Sequence, residues 1–266
     1  MVITLRRIFN ILKRNRTNRA YLSHFGILLG LYGATVAFIS IYWRDLLIAK
    51  WHVIDTNLIL IQLGLFILLL LGADFTRDAK LIIVSTIGGW AIETWGTRLH
   101  LWHYFTNEAP PFWIVPAWPI ATLATHTLAR VFFTLCYTRL KTLGRRMCIS
   151  VLGQKVWGFE TILYFALMIF FLTLFLYFGR FHLNRILFWI TFLATLVFIF
   201  SARKSPLYYS AYFLIGSLVG YPLEFWGTTH NTWVYYSREM PPLFAPFAHG
   251  FATVVFQRCV HLIFYR

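Results

Sequence analysis

The sequence predicts an all-α integral membrane protein of about eight transmembrane helices, arranged as two parallel four-helix repeats. Of its 266 residues, 59% are hydrophobic and only 12% are charged, about half the charged share of an ordinary soluble domain. Apolar runs close to the roughly 20 residues that span a bilayer core recur along the chain. A motif rich in tryptophan, glycine and glutamate also occurs twice, which indicates an internal duplication.

Eight apolar segments account for most of the chain. In order, the predicted spans are 22–43, 56–73, 80–97, 114–136, 157–178, 184–202, 206–227 and 243–264. The second is short, while the third and seventh contain glycines and each carries one glutamate. Prolines break the starts of the fourth and eighth. Irregular backbone at membrane depth is tolerated only where it is buried or lines a cavity, so we expect a pocket between the repeats, open to the outer leaflet.

Basic residues set the orientation, because cytoplasmic loops of membrane proteins are enriched in lysine and arginine. They concentrate in the N-terminal tail and in the stretch 137–156. We therefore divide the chain into a first repeat with a basic cytoplasmic tail (1–136), a basic cytoplasmic linker (137–156) and a second repeat (157–266). An even number of spans per repeat gives both copies the same orientation. We expect a multi-pass protein of the bacterial inner (plasma) membrane, with both termini in the cytoplasm and both motif loops outside.

The net charge of +15 is explained by these loops, since the chain lacks a basic, aromatic-interleaved soluble module that would bind nucleic acid. The expected partners are the bilayer, a membrane lipid or isoprenoid substrate and, in one alternative, another membrane protein. The three cysteines Cys136, Cys148 and Cys259 have no CxxC spacing. All three fall on the cytoplasmic side, so we expect free thiols.

The duplicated motif runs from Glu93 to Pro111 and again from Glu224 to Pro242, and every matched pair has the same separation in sequence as Glu93 and Glu224. We call this constant separation the repeat offset. Nine of the 19 positions are identical, and the repeated residue types are Glu, Trp, Gly, Thr, Tyr and Pro. If the helix continues through the motif, a carboxylate, a glycine, a hydroxyl and a nitrogen side chain share one face. These are Glu93, Gly96, Thr97 and His100 in the first copy, and Glu224, Gly227, Thr228 and Asn231 in the second.

A glutamate within a membrane span costs roughly 2.5–3.5 kcal/mol on insertion scales and by default marks a functional site. We predict Glu93, Glu224, His100 and Asn231 as catalytic residues. The alternative is that the glutamates only join helices by hydrogen bonds. Because His100 and His103 have no histidine counterpart in the second copy, we expect the first copy to carry more of the catalytic polar groups.

Aromatic and hydroxyl side chains of the motif are predicted to bind substrate. They are Trp95, Thr97, Trp102, Tyr104, Trp226, Thr228, Trp233 and Tyr235, to which we add His249 of the last span. A metal site of Glu and His is an alternative, but the Glu-x6-His-x2-His spacing fits no familiar metal motif. We expect no metal and no cofactor.

Two further groups have ordinary membrane interpretations. An interfacial aromatic belt is one interpretation of Trp90, Phe112, Trp113, Trp118 and Phe244. Snorkelling of long or polar side chains to the cytoplasmic surface is the expectation for His126, Arg130, Arg258 and His261.

The motif resembles the integral membrane carotenoid-biosynthesis family that includes the bisanhydrobacterioruberin hydratases, which carry a Glu-x2-Gly-Thr element, an aromatic Tyr segment and a later proline. Both copies match that pattern, with Tyr104 and Pro116 in the first and Tyr235 and Pro246 in the second. Pro222-Leu223-Glu224 is also similar to the Pro-x-Glu element of the heterodimeric lycopene cyclases, although Phe225 stands where their second acidic residue is expected. The resemblance covers the motif and the proline after it in each half, about a fifth of the chain.

That resemblance implies hydration or cyclisation of a polyene, which begins with protonation of a carbon–carbon double bond. A carboxyl group in an apolar pocket can supply the proton, and aromatic faces can stabilise the resulting cation. Two other classes stay open: a transporter of a lipid or small amphiphile, and a non-catalytic subunit of a membrane complex.

Overall fold

The computed structural model describes residues 56–72, 75–146, 148–151, 154–201 and 205–264, with isolated positions between 26 and 44. In chain order the elements are helix α1 (Thr56–Gly72), α2 (Phe75–Arg98), strand β1 (Trp102–Tyr104), α3 (Ala117–Arg146), β2 (Cys148–Val151), β3 (Gln154–Gly158), α4 (Phe159–Phe178), a 3-10 turn (Arg180–His182), α5 (Ile186–Phe200), α6 (Pro206–Thr229), β4 (Trp233–Tyr235) and α7 (Phe244–Phe264). The mostly helical fold is confirmed. The predicted first span, 22–43, lies largely outside the described residues.

Two helices among the described residues, α4 and α7, are long and apolar enough to cross a membrane. The apolar stretches Thr56–Leu69 and Ile186–Phe200 are shorter. Large apolar side chains also face outward, for example Ile186, which is 75% exposed, and Leu218 and Phe200, each 70% exposed. Exposed apolar side chains, together with two apolar helices of membrane-spanning length, are features of a membrane-associated protein.

The repeat offset reappears in the elements. Helix α6 is displaced from helix α2 by this offset at both ends, and β4 is displaced from β1 in the same way. The two strands pair antiparallel, with Trp102 opposite Tyr235, His103 opposite Val234 and Tyr104 opposite Trp233. His103 and Val234 are equivalent positions of the two copies. An antiparallel pair that places equivalent residues opposite each other has a local two-fold axis, which here passes between the repeats.

The two short β ladders are the departure from an all-α chain. Strands β1 and β4 join the repeats, while β2 and β3 form a hairpin that begins in the predicted basic linker and ends at Gly158, two residues beyond it. The sequence does not reveal them, because strands of three to five residues are too short to show a clear alternation of apolar and polar residues.

The core is mainly aromatic. Phe171, Phe175 and Phe178 of α4 are buried, and they stack or tilt against Phe188 and Phe244. These contacts join α4, α5 and α7 beneath the β1–β4 ladder. Helix α6 begins at Pro206, and the preceding Ser205 side chain accepts a hydrogen bond from the Tyr208 amide, which is the ordinary chemistry of a helix start.

Candidate functional site: two glutamates in one aromatic cavity

Helix α2 buries the Glu93 side chain, whose residue is 5% exposed. Three neutral donors reach its carboxylate. Trp102 Nε1 and Tyr104 Oη donate to Oε2 at 3.0 and 2.6 Å, and Trp118 Nε1 donates to Oε1 at 3.0 Å. A buried carboxyl group is costly without such partners, so the three donors explain how Glu93 is accommodated.

Helix α6 presents Glu224 in the same way. Trp233 Nε1 and Tyr235 Oη each donate to Oε2 at 2.9 Å, and His249 Nε2 lies 2.9 Å from Oε1. Each of these partners is related to a partner of Glu93 by the repeat offset. The two sites therefore differ in one partner: His249 stands where the first copy has Trp118. Only the second site has a partner that can carry a proton to or from its carboxylate.

A reversal of the chain after each helix brings the tryptophan and tyrosine back to the glutamate. His100 and Asn231 have positive φ angles of 58° and 55°. The amide of Leu101 donates to the Gly96 carbonyl at 2.9 Å, and that of Thr232 to the Gly227 carbonyl at 2.8 Å. These are the bonds of a Schellman helix end. They turn the following strand back along the helix.

Gly96 and Gly227 permit this return. A Cβ atom at Gly96 would lie 1.9 Å from the Trp102 ring, and one at Gly227 would lie 2.1 Å from the Trp233 ring. The indole therefore lies directly on the helix backbone one turn beyond the glutamate. A side chain at either glycine would displace the ring whose N–H holds the carboxylate.

The third partners of the two glutamates meet each other. Trp118 and His249 stack with ring centroids 4.9 Å apart and planes 16° apart. Gly89 leaves room for Trp118, since a Cβ there would lie 2.3 Å from its ring. Gly220 does the same for His249, whose ring would lie 2.7 Å from a Cβ at Gly220. Together they form a chain from Glu93 through Trp118 and His249 to Glu224.

Both glutamates line one cavity of about 300 Å³, at the lower end of the size of small-molecule sites. Its wall is mostly apolar and comes from both repeats. Besides the glutamates, the predicted site residues that line it are Trp95, Trp102, Tyr104, Trp226, Trp233, Tyr235 and His249. The structure thus gathers most of the predicted residues at a single place.

The predicted catalytic residues His100 and Asn231 are not brought to the cavity. Both are exposed, and they occupy the left-handed position that ends their helices. The shared face of the motif required the helix to continue through them, but α2 ends at Arg98 and α6 at Thr229. Asparagine and histidine tolerate this backbone conformation better than most residues, which explains these residue types.

Thr97 and Thr228 also need correction, because neither lines the cavity. The Thr97 hydroxyl donates to the Glu93 carbonyl at 2.7 Å, and the Thr228 hydroxyl to the Glu224 carbonyl at 2.7 Å. A threonine in a helix commonly bonds to the carbonyl four residues earlier. Their hydroxyls are therefore used by the backbone rather than offered to a substrate.

Trp118 is the site residue that the sequence prediction missed. It was assigned to a possible belt, together with Trp113 and Phe244, yet all three are buried and line the cavity. Trp90 and Phe112 are exposed, as a belt requires. The missed signal was the repeat offset, since Trp118 and His249 are equivalent positions of the two copies. The expectation that the first copy carries more catalytic polar groups is not matched either, because His103 is exposed and His249 belongs to the second copy.

Arg258 and His126 do not reach the surface as snorkelling requires. Arg258 is 1% exposed and His126 is 6% exposed. The Arg258 guanidinium donates to Tyr164 Oη at 2.6 Å and lies 4.2 Å from the centroid of the Tyr209 ring. An aromatic environment of this kind stabilises a buried cation.

The two phenols that donate to the glutamates, Tyr104 and Tyr235, keep their protons. Burial, followed by the neighbouring Glu93 carboxylate, raises the pKa of Tyr104 well above its ordinary value. Burial and Glu224 raise the pKa of Tyr235 in the same way. Both phenols therefore stay protonated at neutral pH and keep donating to the carboxylates.

The polar groups of described residues that line the cavity are the two carboxyl groups, indoles, phenols, the His249 imidazole, the Gln62 amide and the Ser40 hydroxyl. Within the part of the chain that the structure describes, no group of three or more His, Cys, Asp and Glu side chains could hold a metal ion. Among those residues, Cys259 is a free cysteine. Comparison with models of protein families, with curated proteins and with solved structures found no match to this chain.

Proposed function

We propose that this protein is a multi-pass membrane enzyme that hydrates or cyclises a double bond of an isoprenoid or carotenoid-like lipid. One observation carries the proposal: two glutamates, matched by the duplication, line one aromatic cavity. Two carboxyl groups in a small apolar space disfavour each other's ionised form. One protonated and one ionised carboxyl group in the same cavity supply the acid and the base of acid–base chemistry.

The reaction would begin when one carboxyl group gives its proton to a carbon of the double bond. The positive charge left on the adjacent carbon faces indole and phenol rings, each of which stabilises a cation by roughly 0.5–2 kcal/mol. In hydration, water adds to that carbon and releases a proton to a carboxylate. In cyclisation, a second double bond adds to it and a neighbouring carbon loses the proton. Glu93 serves as the acid, and Glu224 with His249 as the base.

The membrane setting belongs to the same proposal. Eight spans in two repeats, with both termini in the cytoplasm, would bring the cavity near the outer surface, where the basic residues are few. Outward-facing apolar side chains such as Ile87 and Val197 agree with a bilayer around the bundle. A lipid substrate would then enter the cavity from the membrane rather than from water. The resemblance of the motif to carotenoid-biosynthesis proteins points to the same substrate class.

The first experiment is to purify the protein in mild detergent and to identify its bound lipids by mass spectrometry and visible absorption. A bound polyene or isoprenoid is the expected result and supplies a substrate. That compound is then incubated with the protein in heavy-oxygen water and in heavy water. Hydration adds the mass of one water containing the heavy oxygen, whereas cyclisation leaves the mass unchanged except for one deuterium.

Glu93→Gln and Glu224→Gln should each lower turnover by about 100-fold or more, because general acid–base groups contribute about that much. Glutamine keeps the size of the side chain but has one acceptor oxygen. At Glu224 its amide can donate to His249, so the melting temperature should change little. At Glu93 the amide faces one of the three donors, so we expect a lower melting temperature and measure turnover well below it. The matched controls are Glu108→Gln and Glu239→Gln, the other duplicated glutamates, which bond to loop hydroxyls outside the cavity and should leave turnover unchanged. Full activity in both cavity variants would refute the enzyme proposal. If the purified protein carries only ordinary phospholipid, the proposed isoprenoid or carotenoid-like substrate would be contradicted.

A further inference from the structure

A row of polar side chains leads away from the cavity along the axis between the repeats. On α7 it consists of His249, Thr253, Gln257 and His261, each four residues from the next. On α3 it consists of Trp118, Thr122, His126 and Arg130, with the same spacing. Residues four apart lie on one face of a helix. We call these eight residues the axis stripe.

The stripe is a product of the duplication. Each α3 member is related to an α7 member by the repeat offset, and the two helices face each other across the axis. Trp118 stacks on His249, and one end of the His126 ring accepts from its partner Gln257, with His126 Nδ1 3.1 Å from Gln257 Nε2. At His126, therefore, one repeat places a histidine where the other places a glutamine.

Near the far end the stripe forms a buried hydrogen-bonded cluster. Tyr212 Oη lies 2.5 Å from His126 Nδ1, and Tyr208 Oη donates to Gln257 Oε1 at 3.2 Å. Because two donors face Nδ1, the neutral His126 ring carries its proton on Nε2. That nitrogen is buried and has no hydrogen-bond partner among the described residues. The imidazole is thus arranged to accept on one side and to donate on the other.

The two ends of the stripe differ from its middle. Thr122, His126, Thr253 and Gln257 are buried, whereas Arg130 and His261 are half-buried at the end far from the motif. At the other end, His249 contacts Glu224 in the cavity. Twelve residues separate His249 from His261, which is about 18 Å along a helix, and each four-residue step is about 6 Å.

We propose that the axis stripe is a proton path that joins the Glu224–His249 pair to the end of the bundle where Arg130 and His261 lie. A proton entering at that end is taken up by His126, passes along the α7 face of Gln257 and Thr253 to His249, and converts the Glu224 carboxylate into a carboxylic acid. The Thr253 hydroxyl donates to the His249 carbonyl at 2.9 Å, so its oxygen serves this path as an acceptor. The reverse sequence releases it. Other groups around His126 are Arg77 of α2, Arg130 of its own helix and His261 of α7. The proposal does not rest on the substrate named above, since it concerns the protonation of Glu224.

A purely structural role for the cluster makes a different prediction. If the polar groups only hold α3, α6 and α7 together, then any residue that keeps the hydrogen bonds will serve. His126→Gln is the discriminating variant, because glutamine is what the duplication itself places at the equivalent position. It can bond to Tyr212 and Gln257, but it cannot take up a proton. Gln257→His is the reciprocal variant. The double variant His126→Gln/Gln257→His, called the double swap, restores one histidine to this cluster, but on α7 instead of α3.

The experiment uses the full chain in sealed vesicles of known orientation, with the pH on each side set separately. The carbonyl stretch of protonated Glu224 is followed by infrared difference spectroscopy after a pH jump on one side. Glu224→Gln identifies the band. His103→Phe is the control, since His103 is exposed on β1. Thermal unfolding of every variant shows whether it is folded.

In the wild-type protein the Glu224 carbonyl band should change after a pH jump on the side of the membrane where Arg130 and His261 lie. His126→Gln should slow that response by about tenfold or more with an unchanged melting temperature, and the double swap should restore it. A wild-type rate in folded His126→Gln, or a band that follows only the motif side, would overturn the proposal. If Glu93→Gln loses turnover but keeps the pH response of the Glu224 band, then the proton path works without catalysis. The two proposals can therefore fail independently.

Discussion

At the scale of single residues, the site depends on indole and phenol donors rather than on charged partners. Glu93 accepts from two tryptophans and a tyrosine, and Glu224 from a tryptophan, a tyrosine and His249. Neutral donors satisfy a buried carboxylate without adding the desolvation cost of a second charge. The same rings supply the apolar wall of the cavity, so one set of side chains both holds the carboxylates and shapes the space beside them.

Gly96→Ala and Gly227→Ala test this arrangement. The new methyl group would overlap the Trp102 or Trp233 ring, and overpacking of this kind costs about 1–3 kcal/mol. We expect a lower free energy of unfolding and loss of the indole hydrogen bond, visible as a change in tryptophan fluorescence. Gly64→Ala is the control, because nothing lies within 4 Å of a Cβ at that helical position. Equal stability of all three variants would show that the indoles do not lie against the glycines.

At the scale of elements, two helix ends place the motif. Because α2 and α6 stop at left-handed residues, β1 and β4 fold back along them and pair with each other. The ladder is extended on both sides by equivalent bonds, from the Phe105 amide to the Thr232 carbonyl at 3.1 Å and from the Tyr236 amide to the Leu101 carbonyl at 3.0 Å. The helix ends and the ladder together fix the donors over the glutamates of both repeats.

His100→Gly and Asn231→Gly should therefore preserve turnover and slightly stabilise the fold, since glycine adopts positive φ at no steric cost. His100→Val and Asn231→Val should destabilise it by about 1–3 kcal/mol, the cost of strained left-handed backbone. Thermal unfolding and turnover of the four variants measure this. If His100→Gly were stable but inactive, the side chain would have a chemical role after all.

At the scale of the whole molecule, the duplication builds one site from two copies. The local two-fold axis passes through the β1–β4 ladder, the Trp118–His249 stack and the His126–Gln257 contact. A residue on such an axis contacts the equivalent residue of the other repeat. A difference between the two copies therefore has its largest effect there. Two differences on this axis, Trp118 against His249 and His126 against Gln257, give each repeat one imidazole of its own, and of these two the His249 imidazole is the one that contacts a glutamate.

The proposed orientation is testable with thiol labelling of intact cells. His103→Cys places an exposed thiol on β1, on the side we assign to the outside. A membrane-impermeant maleimide should label it without permeabilisation. The native Cys136, Cys148 and Cys259 are internal controls that should label only after the membrane is opened. Labelling of the native thiols in intact cells would invert the assigned orientation.

Local patterns predicted some features of the site well. Apolar runs indicated the extents of α1 to α7 to within a few residues, apart from the N-terminal start of α2 and the C-terminal end of α3, because helix and span coincide in such a chain. The repeat offset pointed to Glu93 and Glu224 as equivalent residues, and to Trp102, Tyr104, Trp233 and Tyr235 as their companions. The left-handed turns at His100 and Asn231, just after α2 and α6, were missed, since a residue tolerant of positive φ leaves no periodic signal.

The sequence by itself determined that the chain is apolar, largely helical and duplicated, and which carboxylates the copies share, because composition, periodicity and repeated letters are properties of the chain alone. Only the tertiary structure decided that the two motifs pair, that Trp118 and His249 complete the two sites, and that His126 and Arg258 are buried. Those facts depend on contacts between residues that are far apart in sequence, such as His126 and Gln257. Such contacts arise from packing across the axis between the repeats, which no local pattern encodes.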